Sequence, residues 1–185
     1  LFGLTSGAAV ITAQYWGKKD IETIEKVLGI SMRVGLSVGL LFFAAAQLMP
    51  EALMKIFTSE QMIIEEGVKY LRIVSWSYPL AAAAIVYLNI MRSVERVIIS
   101  TLVYSVSLVI NVIFNAIFIF GLGPVPAMGV SGAACATVIA HVAECLSVII
   151  YMLKIKPPVH FRPSYLLARE KALMKDFRIY ALPVI

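Results

Sequence analysis

The sequence predicts an all-α protein, a polytopic bundle of transmembrane helices, and three observations carry that expectation. Of its 185 residues, 61% are apolar and only 15% are charged, whereas a soluble domain carries roughly 25% charged residues. The charges cluster in short segments separated by apolar runs long enough to cross roughly 30 Å of hydrocarbon. Lys and Arg also concentrate in every second connection, as the two faces of a membrane require.

The elements follow in chain order. Leu1 to Trp16 is apolar or small and reads as the end of a helix, which Gly17-Lys18-Lys19-Asp20 stops with a polar turn. A first complete span runs from about Ile24 to Met49, with Arg33 within snorkelling reach of the interface. Pro50-Glu51 closes it, and Thr58-Ser59-Glu60 is expected to cap the next helix. That helix begins amphipathically with Glu65, Glu66, Lys69 and Arg72, an entry that must be interfacial or shielded, because such charges are costly against lipid. It becomes apolar from Ile73 to Met91, and Pro79 is expected to kink it.

The charged turn Arg92-Ser93-Val94-Glu95-Arg96 precedes a third complete span, from about Val97 to Phe120. Gly121-Leu122-Gly123-Pro124 breaks that span, and the connection to Gly129 carries no charge. The fourth runs from about Val130 to Leu153 and opens with Gly132-Ala133-Ala134-Cys135-Ala136, small residues that let helices approach closely. Lys154 to Lys175 is polar, basic and Pro-containing and reads as a linker, after which Tyr180 to Ile185 begins another span. The chain opens on Leu1 inside an apolar run with no basic flank, so a signal peptide is not expected. Both ends are expected to be cut, leaving a fragment.

The basic connections fix an expected orientation. The turns at Lys18-Lys19, at Arg92 to Arg96 and after Lys154 should be cytoplasmic, and those near Lys55 and at Gly121 to Gly129 should face outward. The net charge of +5 is accounted for in this way, so no nucleic-acid partner is expected. Cys135 and Cys145 are ten residues apart in one apolar run, face different sides of a helix and are poor disulfide partners. The sequence contains no CxxC, HExxH or Walker-type loop and no convincing nucleophile and base arrangement, so neither a metal, a cofactor nor an enzyme is expected.

Polar groups at membrane depth are site candidates, because burying them is expensive unless they are paired. Asn111 and Asn115 share a helix face that Ser100, Tyr104 and Ser107 extend. That face either lines a cavity or holds neighbouring helices together, each amide bonding another helix. Thr137, His141 and Glu144 share a second face. His141 and Glu144 form either a protonatable couple for ion coupling or a structural hydrogen bond. Around the kink, Trp76 and Tyr78 serve as packing or offer aromatic faces to a hydrophobic cation, with Pro79 opening backbone carbonyls. Gln14 reads as structural near a closing gate, and Lys156 to Lys175 as either a solvated linker or a contact for anionic lipid headgroups.

Two stretches resemble one known family. Gly7-Ala8-Ala9-Val10-Ile11-Thr12-Ala13-Gln14-Tyr15-Trp16-Gly17-Lys18-Lys19-Asp20 is similar to the end of the second helix of MATE (multidrug and toxic compound extrusion) exporters and the turn after it. Asn111 through Phe120-Gly121, continuing through Pro124 to Gly129-Val130-Ser131-Gly132-Ala133-Ala134-Cys135-Ala136-Thr137, resembles the family's fifth helix, outer turn and sixth helix. The resemblance implies the N-lobe of a twelve-helix transporter, from late in helix two to the start of helix seven. Residues 1–153 would be the transmembrane bundle, 154–175 a cytoplasmic inter-lobe linker and 176–185 the start of helix seven.

It further implies a plasma-membrane antiporter in which two six-helix lobes alternate access to a central cavity, exporting amphipathic, often cationic small organic compounds against protons or sodium ions. The C-terminal lobe and membrane lipids would be its partners. Asn111, Asn115, Thr137 and Tyr78 would line the cavity, His141 and Glu144 would serve ion coupling, and Gln14, Pro79, Arg92 and Arg96 would be structural or gating residues. Two departures stand out. Some proton-coupled members carry Asp at the position of the neutral Asn115, which argues against this helix alone holding the proton. The turn from Arg92 to Val97 keeps the family's basic ends but lacks its usual glycines and proline. A related flippase for lipid-linked sugars or cell-wall precursors, or a truncated remnant, are the alternative readings.

Overall fold

The computed structural model describes residues 2–122, 124–155 and 157–167. Seven α-helices follow one another among them: α1 (Phe2–Gly17), α2 (Ile21–Leu48), α3 (Pro50–Lys55), α4 (Gln61–Val74), α5 (Ser77–Ser93), α6 (Val97–Phe120) and α7 (Gly129–Ile155), then a 3₁₀ turn at Pro163–Leu167. The described residues contain no strand. α2, α6 and α7 have 28, 24 and 27 residues and are each long and apolar enough to cross a membrane. α4 and α5 together are also long and apolar enough, bent by 54° at their junction, and make a fourth crossing if the pair is one broken span. The first, third and fourth complete spans expected from the sequence are present as α2, α6 and α7, and the helix expected between Glu65 and Met91 is present as the bent pair α4 and α5. The end of the expected linker and the start of the helix expected after it lie outside the described residues.

The chain divides into two units by its internal contacts, which share α2, α5, α6 and α7 between them. One unit takes its described residues from Leu1–Val38, Ala82–Val103 and Leu146–Ile185. Here α2 starts at Ile21, three residues before the apolar run, because Asp20 caps it. The Asp20 carboxylate accepts the Thr23 backbone N–H at 3.1 Å and the Thr23 hydroxyl at 2.6 Å, satisfying a donor that the helix leaves without a partner. α2 packs on α5 where Gly35 has no side chain: a Cβ there would lie 2.9 Å from Val86 Cγ2. α5 and α6 are tied by Ser100, whose buried hydroxyl donates to the Leu88 carbonyl at 2.9 Å. Ile24, Leu28, Tyr87, Leu88, Ile90 and Met91 are fully buried in this unit.

The other unit comprises Gly39–Ala81 and Tyr104–Cys145. Pro50 opens the short helix α3 as well as ending α2, because proline is preorganised for a first helical position and has no N–H to leave unpaired. The expected side-chain cap of α4 is corrected here. Its capping residue is Glu60, which makes no side-chain cap bond, and the Thr58 hydroxyl instead accepts the Glu60 N–H at 3.2 Å. The expected kink is present: Pro79 cannot donate to the Ser75 carbonyl and its ring crowds it, so the helix breaks at Ser75-Trp76.

The α6–α7 hairpin shows why its connecting residues are small. Gly121 ends α6 with φ +72°, a conformation glycine takes without a Cβ penalty. The Gly132 backbone reaches α6 so closely that a Cβ would lie 2.6 Å from the Phe118 carbonyl oxygen. That same oxygen accepts the Met128 N–H at 2.8 Å. The small-residue string expected to allow close helix approach therefore does so at Gly132.

Candidate functional site

The α6–α7 hairpin carries the principal polar candidates. The Ser107 hydroxyl donates to the Ala140 carbonyl at 3.1 Å, and with Phe118 beside Gly132 this sets an antiparallel register. The register brings Asn111 to the level of Thr137 and Tyr104 to the level of Glu144.

The polar stripe of α6 separates into two kinds of residue. Ser100 and Ser107 each bond a carbonyl on another helix and act as inter-helix ties, as polar side chains do in membranes. The asparagines do not: Asn115 Nδ2 donates to Asn111 Oδ1 at 2.9 Å along the same helix. That pairing leaves the Asn111 amide N–H groups and the Asn115 carbonyl oxygen without a side-chain partner among the described residues. Both residues are half-buried. The pair presents donors and an acceptor at one spot on an aliphatic helix, an arrangement suited to a polar ligand group. On α7, the half-buried Thr137 returns its hydroxyl proton to Ala133 of its own helix at 3.0 Å.

His141 and Glu144 meet as their spacing implies, with Nδ1 2.9 Å from Oε2. Glu144 is only 3% exposed while His141 is 29% exposed, so the couple has a buried end and an accessible one. The second carboxylate oxygen, Oε1, is buried and has no hydrogen-bond partner among the described residues. A buried polar atom without a partner costs free energy. The adjacent Cys145 is a free thiol that donates to the Leu80 carbonyl at 3.3 Å, and Cys135 is also free.

At the α4–α5 break, Tyr78 is half-buried. Trp76 is exposed and packs edge-on against Phe43, with ring centroids 4.9 Å apart. Gln47, which the sequence reading passed over, holds this break together. Its Nε2 donates to the Arg72 carbonyl and to the Ser75 hydroxyl, both at 2.8 Å, so a carbonyl near the break gains a side-chain partner. Gln14 on α1, Arg92 in the last turn of α5 and Arg96 in the turn after it are all exposed. Glu25 was also missed, since an acidic residue in the first turns of a helix looks solvated, yet it is 3% exposed.

Several apolar helices of membrane-crossing length, joined by short turns, define a multi-pass helical membrane protein. The MatE family model matches residues 1–117 of this chain. Similar relatives include the probable multidrug resistance protein YoeA of Bacillus subtilis, 26% identical over 86% of this chain and 34% of that protein. The multidrug export protein MepA of Staphylococcus saprophyticus is 28% identical over 97% of this chain and 38% of its own length. Among solved structures, the inward-facing conformation of a multidrug resistance MATE family transporter of the MOP superfamily superposes with a TM-score of 0.85 at 22% identity, covering 98% of this chain and 40% of that one.

The chain therefore belongs to the MatE family, the family its motifs resemble. It spans 34% and 38% of the length of these two curated relatives.

Proposed function

We propose that the complete protein is a secondary active antiporter that exports amphipathic, often cationic drugs or metabolites in exchange for protons or sodium ions. Membership of the MatE family over residues 1–117 is the observation that carries this reading. The names of the relatives YoeA, a probable multidrug resistance protein, and MepA, a multidrug export protein, support it.

In this reading residues 1–153 are the N-lobe, 154–175 a cytoplasmic inter-lobe linker and 176–185 the start of the first C-lobe helix, in the plasma membrane. The C-terminal lobe is the partner against which this one rocks, as alternating access requires. Asn111, Asn115, Thr137 and Tyr78 line the N-lobe cavity, which the unsatisfied donors and acceptor of the asparagine pair support. His141 and Glu144 couple transport to an ion, supported by the unpartnered buried oxygen of Glu144. Pro79 sets the bend, and Gln14, Arg92 and Arg96 are gating or structural residues.

The test is substrate-driven ion flux in proteoliposomes containing the complete gene product, with cationic dyes under an imposed proton gradient and then a sodium gradient. Dye movement that collapses with one gradient establishes antiport and names its ion. Folded protein that moves no dye under either gradient overturns the proposal and favours a lipid-precursor flippase.

A further inference from the structure

A cleft of about 300 Å³ lies where the start of α6 meets the end of α7. Its walls include Ile98, Leu102 and Ile155, exposed aliphatic side chains of two membrane helices, together with Tyr151. Glu95 and Arg96 stand at its polar end. These two adjacent, opposite charges are exposed, and neither side chain has a hydrogen bond or ion-pair partner among the described residues.

Glu95 carries a second, independent signal. Its backbone has φ +65°, the left-handed region in which glycine is at ease and a residue with a Cβ is strained. The position closes α5: the Arg96 N–H returns to the Met91 carbonyl at 2.9 Å and the Glu95 N–H to the Arg92 carbonyl at 3.2 Å. Helix ends of this kind favour glycine, so a glutamate here holds a carboxylate beside the cleft at a conformational cost. Strain of this sort gathers at ligand sites.

We propose that the cleft binds one aminophospholipid of the ethanolamine type. The apolar walls take the upper part of an acyl chain, the Arg96 guanidinium receives the phosphate, and the Glu95 carboxylate receives the ammonium group. Charge complementarity selects this occupant. A guanidinium alone would serve any phospholipid, whereas an unpaired carboxylate beside it repels a purely anionic headgroup and attracts a zwitterionic one. The inference rests on the chain spanning a membrane and not on what the protein transports.

The experiment is native mass spectrometry of the complete, delipidated protein titrated with dioleoylphosphatidylethanolamine and, separately, dioleoylphosphatidylglycerol, together with thermal unfolding of lipid-free samples. The wild-type protein is expected to bind the ethanolamine lipid roughly tenfold more tightly than the glycerol lipid. Glu95→Gly is expected to erase that preference while the lipid-free Tm holds or rises, since glycine relieves the strain. Glu95→Gln, which keeps the side-chain volume, should lose the preference equally, and Arg96→Gln should weaken both lipids. Equal wild-type binding of the two lipids overturns the proposal, as does a preference that survives in folded Glu95→Gly and Glu95→Gln protein. Displacement of lipid from the cleft by another part of the same protein would appear as the same null result and counts against it.

Discussion

The Nε–H of Arg162 donates to Oε2 of Glu25 at 2.8 Å. The other oxygen of the same carboxylate accepts the backbone N–H of His160 at 3.0 Å. Glu25 is 3% exposed and Arg162 58%, so this attachment has a dry end on α2 and a wet end on the segment that follows α7. Val159 is fully buried beside it in sequence, and the Tyr165 backbone lies against Gly29 of α2. The segment is thus held to α2 at several points.

Glu25→Ala should release that segment. Breaking a buried ion pair costs about 3–5 kcal/mol, but Arg162 and His160 can return to water, which lowers the expected loss to about 1–2 kcal/mol. Hydrogen exchange at the His160 amide should accelerate at least tenfold, and thermal unfolding in detergent should shift down. An unchanged exchange rate would show that the carboxylate does not hold the segment.

The glycines divide into tight and open positions. A Cβ on Gly29 would lie 2.7 Å from the Tyr165 carbonyl carbon, and one on Gly132 2.6 Å from the Phe118 oxygen, both backbone atoms, whereas Gly17 has nothing within 4 Å. Gly29→Ala and Gly132→Ala should each destabilise by about 1–3 kcal/mol through overpacking. Gly17→Ala should be neutral or stabilise by up to about 1 kcal/mol, by restricting the unfolded chain. Thermal unfolding of the three variants side by side checks the order.

The Asp20 carboxyl is held below its ordinary 3.8, chiefly by the Thr23 hydroxyl and next by the Thr23 backbone N–H. A depressed folded pKa means that the cap's stabilisation is fully present above the unfolded value and is lost as pH falls through the folded one. Asp20→Asn, which still caps but does not titrate, should therefore leave stability near neutral pH within about 0.5 kcal/mol. It should also flatten the acid-side decline that the wild type shows below about pH 4. Unfolding measured across that range reads both effects, and an unflattened decline would remove Asp20 as its source.

Replacing Asn111 and Asn115 together with Ala should leave the fold intact, because they bond each other and not another helix. If they line the cavity, the substrate KM in the complete protein should rise roughly tenfold, about 1.4 kcal/mol of lost binding, with little change in Tm. Transport kinetics unaltered by the double substitution would make the pair a packing feature.

Glu144→Gln keeps a hydrogen-bonding partner for His141 while removing the ionisable group. Coupled flux should fall at least tenfold, with the Tm unchanged or higher, since a buried carboxylate oxygen without a partner is costly. Full coupled flux in the variant would make the His141–Glu144 contact structural.

The candidate pairs were legible in the sequence to the extent that they are local. Spacings of four and three residues bring Asn111 to Asn115 and His141 to Glu144, because helical neighbours meet whatever the helix packs against. Ser100 and Ser107 shared the polar stripe with the asparagines, and only their partners on other helices separate the ties from the free groups. Gln47 and Glu25 escaped notice for the same reason: each answers to atoms far along the chain.

The sequence by itself determined the helical class, the membrane spans and the kink at Pro79. Each depends on a continuous apolar run, on charges that cannot enter hydrocarbon, or on a ring that removes one backbone donor, all properties of neighbouring residues. The bounds of α6, Val97 and Phe120, follow directly from the charged turn before it and the glycine after it. The tertiary structure decided which polar groups found partners. It buried Glu25 against a distant segment, drew Gly132 onto Phe118, and left one oxygen of Glu144 unpaired. Burial and hydrogen-bond satisfaction are set by contacts across the fold, and no local pattern of residues encodes them.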